Sequence, residues 1–274
     1  MLKKFCALIM LLLLCVLTAV PDADAAAKKH KKKKPAANSL EARAERDDAE
    51  AQYELGKKYY SGKNYKQAIN YLRKAAELGL ADAQVFLGLM YEEGEGVRKD
   101  YFEAFKLFQK AEKQGNALAQ NCLGLMYFKG EGVKQDYAKA AKWYRKAADQ
   151  GFAEAQFMLG VMYANGKGVK QDYAEAVNWS RKAAEQEHAK AQYILGVMYA
   201  KGQGVNQNYN EAAKWIHKSA DQGFPEAQYS LGFMYSNGYG VKQDYIEAIN
   251  WVHKAANQGH AKAIEMLKQI GLIK

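Results

Sequence analysis

The sequence contains few cysteines, and their positions argue against a disulfide framework. Of the three cysteines among 274 residues, Cys6 and Cys15 lie in an apolar N-terminal run and only Cys122 lies beyond it. If that run is removed by processing, the single remaining cysteine cannot form a disulfide within its own chain. We expect Cys122 to be a small buried apolar group; a reactive thiol is the alternative.

The sequence also lacks the motifs that would indicate an enzyme. It contains no H-E-x-x-H, no Ser-x-x-Lys and no G-x-S-x-G. The stretch from Gly160 to Lys167 approaches a phosphate-binding loop, but no Ser or Thr follows its lysine. His217 and His253 occupy equivalent positions and could approach one metal, but we expect solvated histidines on helix surfaces. The sequence therefore predicts a non-enzyme without a metal or cofactor.

No apolar run is long enough to span a bilayer. The run from Phe5 to Val20 has 16 residues, whereas a membrane-spanning helix needs roughly 20. Lys3 and Lys4 precede it, and small residues follow at 23–27. This pattern predicts a cleaved signal peptide over residues 1–25, and therefore an exported protein that is periplasmic or secreted.

Positive charge is concentrated in one segment. The formal net charge is +10, and six of those charges belong to a single tract: Lys28, Lys29, Lys31, Lys32, Lys33 and Lys34. Residues 26–48 are predicted to form a Lys-rich linker with a short capping helix near its end. We interpret the tract as a solvated tether. The alternative is an anchor on an anionic surface such as lipid headgroups, cell-wall polymer or nucleic acid, with no specific nucleic-acid partner.

What the sequence does contain is one phrase repeated in tandem. A shorter unit at residues 49–80 (repeat 1) precedes five copies of 36 residues, followed by half a unit at 261–274. The copies, repeats 2 to 6, are residues 81–116, 117–152, 153–188, 189–224 and 225–260. A period in this range is typical of a stacked array in which each unit packs on its neighbours. The half unit is predicted to cap the end of the stack through Ile264, Leu267 and Ile270.

Each copy predicts a helix, a Gly-x-Gly-Val turn and a second helix. The second helix begins after an N-cap such as Asp100, with Glu103 in capping-box position, and ends at a glycine such as Gly115. Glu187 replaces that glycine in one copy, which predicts a junction weaker by roughly 1 kcal/mol. Small residues such as Gly88 mark close helix contacts. The tryptophans are predicted to pack in the core between repeats, and these are Trp143, Trp179, Trp215 and Trp251.

The repeated phrase resembles the Sel-one-like repeat family, a branch of the tetratricopeptide superfamily. The resemblance rests on A-x-x-x-L-G-x-x-Y followed by G-x-G-V-x-x-D-Y-x-x-A-x-x-W-x-x-K-A-A-x-Q-G, over residues 49–274, and repeat 1 looks like an ordinary tetratricopeptide repeat. It implies an all-α fold, a right-handed α-α superhelix (solenoid) of helix-turn-helix repeats. It further implies a concave face used for protein binding. A cysteine-rich branch linked to penicillin binding carries a disulfide in each repeat, and this chain has no such cysteine pairs.

By analogy with that superfamily, certain first-helix positions, here called the groove positions, point into the concave face. Their aromatic and amide side chains would suit an extended peptide, with rings supplying contact area and amides bonding its backbone. The alternative is that the rings pack between neighbouring helices. The candidate partner-binding residues are Tyr53, Tyr60, Asn121, Phe128, Phe157, Asn165, Tyr193, Tyr229 and Asn237.

The sequence thus predicts an exported, monomeric, non-catalytic scaffold for a protein or peptide partner, in cell-envelope processes or host contact. Two other functions stay open. One is a weak cell-wall or β-lactam hydrolase, opposed by the missing nucleophile motif. The other is an envelope-anchoring module that acts through the lysine tract.

Overall fold

The structure, a computed structural model, describes residues 39–273. The predicted signal peptide and the lysine tract lie outside the described residues. Contacts between Cα atoms divide the chain into two compact units, Met1–Gln135 (unit 1) and Asp136–Lys274 (unit 2). Within residues 39–273 every regular element is an α-helix, 14 in number. None of these helices is long and apolar enough to cross a membrane.

The helices follow the predicted order of first and second helices. The described part of unit 1 contains α1 (Leu40–Ala44), α2 (Ala49–Ser61), α3 (Tyr65–Glu77), α4 (Ala81–Glu93), α5 (Tyr101–Glu112) and α6 (Ala117–Lys129). Unit 2 contains α7 (Tyr137–Asp149), α8 (Ala153–Asn165), α9 (Tyr173–Glu185), α10 (Ala189–Lys201), α11 (Tyr209–Asp221), α12 (Pro225–Asn237), α13 (Tyr245–Asn257) and α14 (Ala261–Gln269). Within each unit, consecutive helices pack against each other. The predicted fold class, an all-α solenoid of tandem helix-turn-helix repeats, is confirmed.

Small residues allow the two helices of a repeat to approach closely. A Cβ added at Gly88 of α4 would lie 2.6 Å from the Phe108 ring of α5, and one at Gly232 of α12 would lie 2.7 Å from Val252 of α13. Ala104, on the facing side of α5, has no exposed surface. Because interiors are packed like organic crystals, these positions tolerate no extra methyl group without movement.

The second helices begin as predicted, but the capping box does not form. The Asp100 carboxylate accepts hydrogen bonds from the backbone N–H groups of Phe102 (2.9 Å) and Glu103 (3.0 Å). The backbone N–H of Asp100 itself donates to the carbonyl of Tyr91 at 2.9 Å. Glu103 instead pairs with Lys106 at 3.3 Å. The capping-box pattern assigned the Asp100 N–H to the side chain of Glu103. In the structure, the carbonyl of Tyr91 accepts that hydrogen bond instead.

The tryptophans pack partly as predicted. Trp179 and Trp251 are buried, at 4% and 7% exposure, whereas Trp143 and Trp215 are half-buried. Each indole also carries a lysine ammonium from the next turn of its own helix, for example Lys254 at 3.6 Å from the Trp251 ring centre. Since a lysine can cover an apolar ring while its charge stays in water, the half-buried pair is also shielded.

A chain of paired glutamines, one buried and one exposed in each pair, ties neighbouring repeats together, and the sequence pattern did not predict it. The Gln84 amide donates to the carbonyl of Ala76 at 3.0 Å, and Gln114 donates to the Gln84 side-chain oxygen at 3.2 Å. The same pairing recurs in unit 2, between Gln186 and Gln156 at 2.7 Å. Within residues 39–273, buried carbonyls at the ends of second helices thus acquire donors from the next repeat.

The ends of the described chain are covered by short helices. α1 lies where the capping helix was expected, with Ala42 and Ala44 buried. In α14, Leu267 is fully buried and Ile264 half-buried, but Ile270 remains 50% exposed. Ile270 therefore does not take the covering role that the pattern assigned to it, because the helix ends at Gln269.

Candidate binding site

The groove positions of unit 1 are mostly occupied by the core. Tyr53 is 5% exposed, and its ring packs edge-on against Phe86 with centroids 6.3 Å apart. Tyr60 is half-buried, contacts the same Phe86 ring at 5.0 Å, and its hydroxyl donates to Glu95. Tyr53 therefore presents almost no surface to a ligand, contrary to its assignment as a contact residue.

Asn121 and Phe128 complete the predicted positions of unit 1. Asn121 is 2% exposed, and its side-chain oxygen has no hydrogen-bond partner among the described residues. Phe128 is half-buried. The Asn121 amide is thus too buried to bond the backbone of a peptide lying on the surface, and its predicted contact role is not supported by its position.

In unit 2 the predicted aromatic residues pack on one side and stay accessible on the other. Phe157 stacks on the His188 ring at 4.8 Å, and Tyr229 stacks on His260 at the same distance. Tyr193 contacts Phe224 edge-on at 5.4 Å. Half-buried rings of this kind are held in place by the next repeat, so little side-chain entropy remains to be lost if a ligand binds.

The two predicted asparagines of unit 2 are exposed, and each uses its amide locally. The Asn165 amide nitrogen donates to the Val161 carbonyl at 2.7 Å, and the Asn237 amide nitrogen donates to the Phe233 carbonyl at 2.8 Å. These bonds hold the side chains along their own helices. A peptide backbone would have to compete with them.

The structure brings Tyr193 and Tyr229 together in one cavity of about 500 Å³ within unit 2. We call it the aromatic pocket; it is formed by α10, α11, α12 and the turn after α12. Its lining is Tyr193, Val197, Ala200, Lys201, Tyr209, Ile216, Tyr229, Ser230, Phe233, Met234 and Tyr239. A volume in this range and a mostly apolar lining are typical of sites that bind a small molecule or a partner's side chain.

Large rings form the accessible wall of the aromatic pocket. Phe233 is 48% exposed and Tyr239 41% exposed. Tyr239 stacks on Tyr209 with centroids 5.1 Å apart. This stack depends on Gly240, which has φ of 69° and lies so close to the Tyr209 carbonyl that an added Cβ would be 1.9 Å from its oxygen.

Phe233 and Tyr239 are not among the predicted residues, although aligning the repeats with one another distinguishes them. The position of Phe233 is held by Val197 in the preceding repeat, and that of Tyr239 by Gln203. Repeat 6 alone among the repeats places an aromatic ring at both positions. Because groove positions were chosen by helix phase, a turn residue such as Tyr239 was not considered.

The corresponding positions of repeat 2, in unit 1, carry acidic side chains. Glu92 and Glu93 take the places of Ala200 and Lys201. The pKa of Glu92 is raised to about 7, chiefly by burial; Lys129 and Lys99 oppose the shift, and Glu131 and Glu93 add to it. Since desolvation disfavours the charged form, a buried carboxyl of this kind gains a proton more easily than an exposed one.

A cluster of side chains suited to a metal ion is not assembled in the described part of the chain. No group of three or more His, Cys, Asp or Glu side chains there could hold a metal ion. His217 contacts the Trp251 ring at 5.6 Å and lies 3.6 Å from Asp221. Cys122 is buried, at 4% exposure. The expected role of Cys122 as a buried apolar group fits this position.

The comparisons with known proteins agree with the repeat architecture. A profile of the family described as Sel1 repeat matches residues 49–80, 81–116, 117–152, 153–188, 189–224 and 225–260. The match includes repeat 1, which the sequence analysis likened to an ordinary tetratricopeptide repeat. No curated protein matches the chain.

Two solved structures are similar in both sequence and fold. One is c5321, a protective antigen of uropathogenic Escherichia coli with an SLR fold, at 38% identity and a TM-score of 0.77 over 82% of this chain. The chain spans about half (49%) of that protein. The other is a Sel1 repeat protein from Oxalobacter formigenes, at 35% identity and a TM-score of 0.74, covering 80% of this chain and 90% of that one. Together with the six matched repeats, these similarities establish that the chain belongs to the Sel1 repeat family.

Proposed function

We propose that this protein is a non-catalytic scaffold that binds a protein or peptide partner through the aromatic pocket. Sel1 repeat proteins are generally protein-interaction scaffolds, and the aromatic pocket is the single feature that carries the proposal for this chain. Its rings are positioned by their own neighbours, as in the Tyr209–Tyr239 stack. Rigid aromatic side chains at an accessible pocket are the residues that most often dominate binding energy.

The floor of the aromatic pocket supports the same function. Ile216 is 3% exposed and Met234 is 5% exposed, so the depth of the pocket is closed by packed apolar groups. An apolar side chain of a partner would displace water from this floor, at roughly 25 cal/mol for each Å² of apolar surface removed from water. A single apolar side chain of a partner, buried on this floor, can therefore supply a large part of the binding free energy.

Selection from a phage-displayed library of random peptides tests the proposal. Peptides enriched on the purified protein are measured against the double variant Phe233→Val and Tyr239→Gln, which installs the residues of repeat 5 at these positions. We expect the variant to bind at least about tenfold more weakly, because the accessible wall of the pocket is removed.

The matched control is Phe102→Val, which removes a ring that is 59% exposed in unit 1. It should leave the affinity of the selected peptides unchanged, and circular dichroism should show that both proteins keep their helical content. If the selected peptides bind the double variant as tightly as the parent protein, the aromatic pocket is not the binding site.

Export is part of the proposal and rests on the N-terminal sequence pattern. A positive start, an apolar run and small residues around position 25 support cleavage of a signal peptide. Similarity to a protein described as a protective antigen fits a periplasmic or secreted location and a role in envelope processes or host contact. Cell fractionation and mass spectrometry of the mature N-terminus test it; an intact residue 1 in the cytoplasmic fraction would refute it.

A further inference from the structure

The lining of the aromatic pocket contains one positive charge and no negative charge. Lys201 is the one charged residue in the pocket lining. Its side chain makes no ion pair or hydrogen bond with any residue that the structure describes. A lysine beside an apolar cavity without a carboxylate partner is available for an anion supplied by a ligand.

Another repeat of the same chain has a lysine at the position of Lys201, and the two lysines can be compared. Lys129, the equivalent residue of repeat 3, is paired with Glu131 at 3.0 Å. In repeat 5 the residue two positions after Lys201 is Gln203, so the neutralising carboxylate is absent. In repeat 6 the same turn position holds Tyr239, which forms the pocket wall. The loss of the acid and the gain of the rings thus occur at the same pocket.

Two carboxylates of α11, the helix that supplies Tyr209 and Ile216 to the pocket, have partners of their own. Glu211, in the first turn of α11, pairs with Lys214 at 2.6 Å. Asp221, at the end of α11, lies 3.6 Å from His217. Neither residue belongs to the lining of the aromatic pocket. Lys201 is therefore the one charge that the lining itself presents to a ligand.

Aromatic walls by themselves would suit a cation, because the face of a tyrosine ring attracts positive charge. Such cation sites need a negative or neutral surrounding. Here the ammonium of Lys201 opposes a second cation, and no carboxylate in the lining offsets it. An aromatic or large aliphatic side chain with a carboxylate close by satisfies both the rings and the lysine.

We propose that the aromatic pocket selects an acidic partner segment, in which a large apolar side chain enters the pocket and a neighbouring Asp or Glu pairs with Lys201. This inference rests on the proposed function and specifies its partner. The apolar group supplies most of the affinity. The ion pair, being at an exposed rim, supplies selectivity and salt dependence.

Four fluorescein-labelled decapeptides of otherwise identical sequence test the proposal by fluorescence anisotropy. They contain Trp flanked by Glu, Trp flanked by Lys, Trp flanked by Ser, and Ala flanked by Glu. We expect the Glu-flanked Trp peptide to bind best, about tenfold more tightly than the Lys-flanked one. Its advantage should shrink in 0.5 M salt, where the screening length is only a few ångströms, roughly 4 Å.

Two variants of α10 separate the ion pair from the pocket. Lys201→Asn, which installs the residue found at Asn165 and Asn237, should weaken the Glu-flanked peptide about fivefold and leave the Ser-flanked peptide unchanged. Lys190→Asn makes the same charge change at the start of the same helix and should alter neither. Lys201→Glu should reverse the preference in favour of the Lys-flanked peptide.

The remaining outcomes of the peptide experiment would each overturn the acidic selectivity. Equal binding of all three Trp peptides, with loss of binding in the Phe233→Val variant, would overturn the acidic selectivity and leave the proposed function standing. Preferential binding of the Lys-flanked peptide would identify a cation site and overturn the inference. Absence of binding by every Trp peptide at millimolar concentration would overturn it as well, and peptides from the phage selection would then decide the proposed function separately.

Discussion

The same repeat positions carry opposite chemistry in repeat 2 of unit 1 and in repeat 5 of unit 2. In unit 1, Glu92 is 4% exposed and lies near Glu93 and Glu131. In unit 2, the equivalents of Glu92 and Glu93 are Ala200 and Lys201, and the lining is made of rings. One helical framework thus presents a buried glutamate with two half-buried acids near it in repeat 2, and an apolar pocket with one lysine in its lining in repeat 5. In a repeat fold, the positions that specify a partner are those where the repeats differ.

The largest expected effect is a loss of stability on replacing Gly240, the turn glycine that lies against Tyr209 of the aromatic pocket. Gly240→Ala should lower the free energy of unfolding by about 4 kcal/mol, because the residue is left-handed and its Cβ would meet the Tyr209 carbonyl. Gly132→Ala in unit 1 should cost less, since its Cβ would lie 2.6 Å from the Tyr101 carbonyl rather than 1.9 Å. Urea unfolding measures both, and equal costs would contradict the prediction.

The next effect probes the buried acid of unit 1. The pKa of Glu92 is raised from 4.5 to about 7, so between these values the folded protein holds a proton that the unfolded chain has lost. Stability should therefore fall by up to about 3 kcal/mol as the pH rises from 4.5 to 7, at 1.36 kcal/mol per unit. Glu92→Gln should remove this slope and be more stable than the parent at pH 8.

The control for that experiment is Glu77→Gln, which changes an exposed carboxylate in the same unit. Its stability should follow the parent protein across the pH range, as measured by urea unfolding at each pH. A constant difference between Glu92→Gln and the parent at pH 5 and pH 8 would show that Glu92 does not titrate differently in the folded state.

A third effect concerns the glutamine chain, which is incomplete in unit 1. The side-chain oxygen of Gln52 is buried without a partner, because Leu78 stands where Gln114 and Gln186 stand in later repeats. Leu78→Gln should raise the free energy of unfolding by about 1 kcal/mol by supplying the missing donor. Leu78→Met, which has similar size and no amide, should give no gain; thermal or urea unfolding distinguishes them.

The smallest effect concerns a junction in unit 2. Glu187 has φ of 62°, at the position where Gly115 of unit 1 has φ of 80°. Glu187→Gly should stabilise the protein by about 0.5–1 kcal/mol, because glycine adopts this conformation without strain. Glu187→Ala keeps the Cβ and should not stabilise. A urea midpoint for the glycine variant at or below that of the parent would refute the prediction.

Much of the fold was predictable because the same caps, turn glycines and small residues recur in each of the five 36-residue copies. The N-cap at Asp100 and the glycine at Gly88 recur at fixed spacing, so their local physics could be inferred and the structure confirms it. The capping box failed because the turn brings the Tyr91 carbonyl to the Asp100 N–H. That bond crosses the turn between two helices, and a motif read along one helix cannot contain it.

The candidate site was predictable only in part. Helix phase selected Tyr193 and Tyr229, which line the aromatic pocket, but gave the same standing to Tyr53 and Asn121, which the core buries. It also omitted Tyr239, whose place in the pocket lining accompanies a stack with Tyr209 of the preceding repeat. The burial of a side chain depends on which residues of the adjacent repeat pack against it, and those residues differ from one repeat to the next.

By itself, the sequence determined the helical hairpins, their order and their small-residue contacts, because propensity, caps and turn glycines act within a few residues of one another. Only the tertiary structure decided which rings are accessible, that Glu92 is buried and that Lys201 lacks a counter-charge. Those properties depend on distances between residues far apart in the chain, where burial and charge pairing are set by packing rather than by local preference.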